Sequence, residues 1–333
     1  MIPSARGTIY CVFSAISYTM MGICQRELSE DCDPVWVNSV QALVSTTVFG
    51  IYLILTSVRG RSAWPPLSVA AGLMILGVIT QLGGSSYQWS LGIIGLAVGN
   101  SINMGVMLAA SALLGLAILG ERVSRRGIAA IALITAAIFL LSRGADATDE
   151  TVPANSPTAA IDSATVDDTA AEVQAGAFRV MLGVAAACFA GVAFSILTVG
   201  VRKTVTEETA PAAVVFYINA MGIVFLGPWA VMRLGLDGIM ATSARDLGVM
   251  LAVGMFNLFG FLLVTKGLQL TAVVRVNLIT NAVTTALTVL AGIIIFAEPT
   301  NRQLVAGIIL ALIGMVLIST SDPADAEPQA AAQ

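Results

Sequence analysis

Two stretches of 60 residues decide how this chain must be built. Residues 83–142 read GGSSYQWSLGIIGLAVGNSINMGVMLAASALLGLAILGERVSRRGIAAIALITAAIFLLS, and residues 260–319 read GFLLVTKGLQLTAVVRVNLITNAVTTALTVLAGIIIFAEPTNRQLVAGIILALIGMVLIS. Laid side by side at a shift of 177 they agree without a gap at 16 of 60 positions, where so biased a composition gives roughly a tenth by chance. The same shift carries on toward the N-terminus, pairing Cys11 with Cys188, Pro34 with Pro211, Gly50 with Gly227 and Gly83 with Gly260. It also pairs Asn100 with Asn277, Gly115 with Gly292, Glu121 with Glu298, Arg125 with Arg302 and Ser142 with Ser319. The chain is therefore an internal duplication in a single register.

Composition says what medium the duplication occupies. Of 333 residues 57% are hydrophobic and 11% charged, and mean hydropathy is +0.90; an ordinary globular chain is about 25% charged. Lipid is the solvent that such a chain fits. A membrane-crossing helix takes about 20 apolar residues. Ten such runs are expected, at 7–27, 34–57, 67–89, 95–119, 125–142, 178–201, 210–232, 246–266, 273–296 and 303–319. Asp33-Pro34, Trp64-Pro65-Pro66, Ser124 and Ala210-Pro211 punctuate the short connections, as turn and capping residues do. The first run aligns with the sixth, so it reads as a structural helix rather than a cleaved leader.

Five runs per copy is an odd number, so the second copy enters the membrane from the opposite side. The expected fold is an all-α polytopic membrane protein of ten transmembrane helices arranged as two inverted five-helix repeats, 1–142 and 178–319. Between them, residues 143–177 are Ala, Thr, Asp, Ser and Pro with seven acids; that composition cannot bury a core and predicts a disordered, extracytoplasmic linker. The tail 320–333 reads likewise as disordered and cytoplasmic. Lys and Arg at the run ends number ten on one face and six on the other when both termini are placed inside, which sets both termini in the cytoplasm. With no organelle address, the expected location is a plasma membrane of the bacterial inner-membrane kind.

Absences narrow the chemistry. There is no histidine, so imidazole bases, histidine-ligated metals and Ser-His or Cys-His nucleophiles are excluded. Cys11, Cys24, Cys32 and Cys188 form no CxxC pair, and no metal site, cofactor or catalytic residue is expected. The acids lie in tails and loops, and no basic face offers itself to nucleic acid. The expected partners are a small-molecule solute and the lipid bilayer, and a homodimer is compatible with the sequence.

Inverted repeats are the architecture of many secondary transporters, because rocking one half against the other yields two related states. Polar residues within the runs mark either a solute cavity or hydrogen bonds between helices. Asn100, Asn103, Met107 and Ser111 share one face of the fourth run at helical spacing, and the shift places Asn277, Thr280, Thr284 and Thr288 on the same face of the ninth, with Asn281 and Thr285 beside them. Gln81, Ser85, Ser86 and Gln88 stand in the third run, Asn257 in the eighth and Tyr18 in the first. For Asn100 and Asn277 the cavity reading is preferred over interhelical glue. Lys266 and Arg275 bracket a short turn, where they either grip an anion or snorkel to the interface. Glu121 and Glu298 close the fourth and ninth runs just ahead of the next helix, which reads as capping of the hairpin.

Leu119-Gly120-Glu121-Arg122-Val123-Ser124 with the run to Ser142, and Phe296-Ala297-Glu298-Pro299-Thr300 with the run to Ser319, resemble the closing segments of the two EamA repeats in the drug/metabolite transporter superfamily. The resemblance runs from about Gly7 to Ser319. It implies ten helices in two inverted repeats, cytoplasmic termini and a solute cavity between the halves. It also implies a carrier and no enzyme, with export of amino acids or related metabolites favoured and sugars, sugar phosphates or nucleotide sugars as the alternative. A membrane scaffold or receptor is the rival from another class, and it would not need matched polar stripes.

Overall fold

The computed structural model describes residues 3–60, 64–119, 166–204, 210–270, 273–298 and 300–319, with scattered positions between 129 and 140. In order they form α1 (Pro3–Asp31), α2 (Pro34–Val58), α3 (Leu67–Leu114), a π-helical turn (Gly115–Leu119), α4 (Val166–Thr204), α5 (Pro211–Met221), a second π-helical turn (Gly222–Leu226), α6 (Gly227–Met240), α7 (Ala244–Leu270), α8 (Val273–Ile294) and α9 (Arg302–Ser319). No strand occurs among the described residues.

Local chemistry explains the joints. Asp33 caps α2 by accepting the Val35 and Trp36 amides, and Pro34 occupies the first turn, where its missing N–H costs nothing. Pro211 starts α5 in the same way at the aligned position. The second π turn ends where Pro228 follows; proline donates no N–H to the preceding turn, so the ladder shifts its register there. Helix α4 begins at Val166, inside the stretch read above as linker. Asp167 and Asp168 in its first turn and the alanines after them favour helix. The remainder of that linker and most of the expected fifth run lie outside the described residues.

The third and fourth expected runs appear as one helical unit of 48 residues broken at Gly95, with φ 77° and ψ 173°. That backbone conformation is accessible essentially to glycine alone. The chain reverses there: Tyr87 Oη comes 3.4 Å from Asn100 Oδ1, and the Leu91 side chain lies against Gly99. Along a straight helix the 13 residues between Tyr87 and Asn100 would span about 20 Å. So α3 is two antiparallel arms, 67–94 and 96–114.

Exposure is inside out relative to a water-soluble bundle. Ile9, Phe13, Ile16 and Met20 form an exposed stripe on α1, while Gln25, Gln81, Gln88, Asn100, Asn103 and Thr288 are buried. Lipid-facing helices expose large apolar residues and turn their polar groups inward, where they can pair.

The helices pack across the repeats. Helix α1 lies on α7 and α8, α4 lies on both arms of α3, α2 meets α5 and α7, and the second arm of α3 meets α8. Close approaches show the register. A Cβ on Gly77 would meet the Ile218 carbonyl and Met221, and one on Gly254 would meet the Gln41 carbonyl and Val44. Every residue of the first contact maps onto the second by the shift of 177, with the repeats exchanged. Gly50 against Phe216 and Gly227 against Ser39 repeat the exchange. Contacts that recur with the partners swapped are the mark of a two-fold relation between the halves.

Candidate functional site

The polar stripe of α3's second arm faces α8 and α4. Asn100 donates from Nδ2 to Thr288 Oγ1 at 2.8 Å, and Tyr87 donates to Asn100 Oδ1. Asn100 thus joins three helical segments through both its Nδ2 and its Oδ1. Asn103, one turn further, is buried with its Oδ1 free of any hydrogen-bond partner among the described residues. Its aligned residue Thr280 is buried too, with no nitrogen or oxygen partner, beside the Cys11 thiol. A buried oxygen without a donor costs about 1–3 kcal/mol; Asn103 Oδ1 is such an oxygen, and the aligned Thr280 hydroxyl has only the weakly bonding Cys11 thiol beside it.

The other expected residues divide by surroundings. Thr284 is buried and approaches the Ala15 carbonyl of α1 at 3.5 Å. Gln81 is buried and donates from Nε2 to the Ile218 carbonyl at 3.3 Å. The Tyr18 ring lies across Gly260. Asn257 and Asn281 are half-buried. Lys266 is exposed at the rim of an apolar groove of about 350 Å³ with Phe13, Met20, Phe256 and Phe259, surroundings in which its stem can snorkel. Glu121, Arg275 and the Asn277 side chain lie outside the described residues.

Sequence reasoning overlooked a second layer nearer the Asp33 end of the bundle. Gln25 donates to Gln41 Oε1 at 3.3 Å, and Gln88 donates to the Gln25 carbonyl at 2.6 Å, tying α1, α2 and the first arm of α3. Gln41 shares a face of α2 with Asn38 and Ser45 at helical spacing, which was the signal that could have found it.

Glu298 acts on a different helix from the one expected. Asn301 caps α9 by accepting the Leu304 amide. Glu298 reaches into the other repeat instead, its Oε1 accepting the Leu96 amide and its Oε2 the Ala97 amide at 2.9 Å. These are the first amides after the Gly95 break, unpaired by their own helix and at the positive end of its dipole. Ala297, just before it, has φ 49°, left-handed backbone that aims the carboxylate back at α3. Arg26 Nε lies 3.5 Å from Glu298 Oε1, and Arg26 also bonds Glu30 and stacks over Phe296. The Arg26 and Glu298 side chains are 14% and 12% exposed, so water screens this pair little.

Three more ties join the repeats at this end: Arg245 with Glu27, Arg233 with Asp33 at 3.1 Å, and Trp36 Nε1 donating to Thr242 Oγ1 at 3.1 Å. Arg26, Glu27, Glu30, Asp31, Arg245 and Asp246 surround a polar cavity of about 220 Å³ there. Burial first, then Asp246 and Asp31, push the nearby Cys32 thiol up from its ordinary pKa, so it stays protonated and unreactive at neutral pH.

A bundle with apolar faces outward, polar stripes between two aligned halves and ties running between those halves defines a polytopic helical membrane protein with two-repeat architecture. The chain belongs to the EamA-like transporter family, which residues 5–143 and 181–320 each match. It is accordingly a membrane transporter of the drug/metabolite transporter type, and members of that family are transporters rather than enzymes. A solved crystal structure shares the fold at 13% identity and a TM-score of 0.57, over 94% of this chain and 96% of the other. No curated protein matches.

Proposed function

We propose that this protein is a secondary carrier that moves a small polar metabolite, an amino acid or a related compound, outward across the plasma membrane. It works by alternating access between two inverted five-helix repeats, ten membrane spans in all, with both termini in the cytoplasm. Six long apolar runs, the second arm contained in Leu67–Ile118 and two shorter apolar helices are nine candidates for these spans by length and composition, and the run 125–142 is the tenth in the sequence. On this reading the Asp33 end faces outward.

The observation that carries the proposal is the pair Asn103 and Thr280. They are aligned by the repeat, buried, and face the join between the halves with an oxygen unused by nitrogen or oxygen donors. Solute N–H or O–H groups are what such acceptors lack. Asn100, with its amide engaged by Thr288 and Tyr87, positions the helix that carries Asn103.

The test compares metabolites inside and outside cells that make the wild type or the Asn103→Leu/Thr280→Val variant at equal membrane levels. A solute class that accumulates outside only with the wild type supports the reading and gives the direction. Accumulation that persists unchanged in the variant removes these residues from the site, and identical pools in variant, wild type and empty cells remove the carrier reading.

A further inference from the structure

One exposed stripe of α1 is apolar along its body and basic at its head. Arg6, Ile9, Phe13, Ile16 and Met20 follow one another at steps of three and four, so they share a face, and all five are exposed. On α7, Phe256, Phe259, Leu263 and Lys266 do the same, with the base toward the end of the helix. The two helices run antiparallel. Ser17 donates to the Phe256 carbonyl, Ser14 donates to the Gly260 carbonyl, and a Cβ on Gly267 would meet Cys11 Sγ and the Gly7 carbonyl. Arg6 and Lys266 therefore stand at one level, at the end of the bundle opposite Asp33. Between the stripes runs the groove of about 350 Å³, walled by Phe13, Ile16, Met20, Phe256, Phe259 and Leu263. The Ser17 hydroxyl in it is already bonded across the helices, so the charge lies at the mouth and the walls are apolar.

The duplication does not require this groove. The shift of 177 carries Phe13 and Ile16 onto Ala190 and Ala193 of α4, which are buried, and a Cβ on Gly83, the residue aligned with Gly260, would meet both. Arg6 and Lys266 map onto Gly183 and Trp89. Groove and bases thus occur together in one pairing of helices, and the aligned pairing closes those positions and has no base there. A groove open to hydrocarbon takes an acyl chain, and basic residues between helices at the membrane surface take an anionic headgroup. The lengths agree: the rise from Arg6 to Ile16 is about 15 Å, half of the roughly 30 Å hydrocarbon core and so the reach of one chain from one surface. We propose that the groove between α1 and α7 binds one anionic phospholipid, its phosphate held by Arg6 and Lys266 and an acyl chain laid along Phe13, Ile16, Phe256 and Phe259. Helix α1 belongs to the first repeat and α7 to the second, so the lipid touches both halves and by linkage stabilises their packing as seen here. Neither the solute nor the direction of transport enters this inference.

The test takes the full chain, stripped of lipid in detergent, and titrates it with phosphatidylglycerol or with phosphatidylcholine of the same acyl chains. Native mass spectrometry counts the lipid retained, and the unfolding midpoint is read in parallel. A base near the membrane surface gives about a factor of five in affinity for anionic lipid. The first phosphatidylglycerol should therefore be retained at a concentration about tenfold or more below phosphatidylcholine, and should raise the midpoint. Lys266→Gln is expected to cut that preference about fivefold, and Arg6→Gln/Lys266→Gln to abolish it. Ile16→Trp, which lays an indole in the groove and keeps both bases, should weaken retention of both lipids. Equal retention of the two lipids by the wild type, or a preference that survives loss of both bases, overturns the proposal. Retention unmoved by Ile16→Trp overturns it as well, because the headgroup would then be held without the groove. Glycerol phosphate, which has the headgroup charge and no chain, should leave the midpoint unchanged; a rise equal to that with phosphatidylglycerol would assign Arg6 and Lys266 to a free anion instead.

Discussion

Ala297 shows how a single backbone angle serves the site. A residue with a Cβ is disfavoured at φ 49° by roughly 1–2 kcal/mol, yet this conformation turns the chain from α8 and delivers the carboxylate of Glu298 to α3. Replacing Ala297 by glycine removes the steric penalty but loosens the unfolded chain. The net expectation is a gain of up to about 1 kcal/mol with the Glu298 bonds retained, read as a higher unfolding midpoint in detergent. Asn100 is the second case. Interhelical hydrogen bonds within membranes average about 0.6 kcal/mol, so a double-mutant cycle between Asn100→Leu and Thr288→Val should return a coupling of that size, and a value near zero would show the 2.8 Å bond to be idle. The Asn100 stripe was legible from spacing alone. Its partners were not, because Tyr87 reaches it only after the chain folds back at Gly95 and Thr288 only after the two repeats pack together.

At the scale of helices, hydropathy found the apolar runs well and misplaced their joints. It set a gap at 90–94 between the third and fourth runs, where the chain stays helical up to a reversal at one glycine. Nothing in a hydropathy window distinguishes a glycine that reverses the chain from one that lets helices pack. Gly95→Ala separates the two by strain: its Cβ would sit at φ 77° and 2.6 Å from Glu298 Oε1, so backbone conformation and the Glu298 cap are hit together. The expected cost exceeds about 2 kcal/mol, a substantial drop in unfolding midpoint. An alanine at Gly248, where a Cβ meets open space, is the control and should leave that midpoint nearly unchanged. Glu298 was misread for a related reason. The acid-before-helix pattern suggests a local cap, and only the fold shows that the nearest unpaired amides belong to the other repeat.

For the whole molecule, the duplication was the most legible feature and the ties at its Asp33 end the least, because most of them join residues that the two copies do not share. The Asp33 end carries Arg26 with Glu298, Arg233 with Asp33 and Arg245 with Glu27. The ties are unequal in weight. Arg245 and Glu27 are 74% and 42% exposed, and exposed pairs contribute about 0–1 kcal/mol and weaken in salt. Arg26 and Glu298 are shielded, and the carboxylate also takes two backbone amides, bonds to a charged group worth about 1.5–3 kcal/mol each. Arg245→Gln should therefore cost less than about 1 kcal/mol, read as a small drop in unfolding midpoint in detergent that shrinks further in high salt. Glu298→Ala should exceed that at every salt concentration. An Arg245→Gln effect equal to that of Glu298→Ala would mean that the outer end is held by its surface charges, and the ranking drawn from burial would fail.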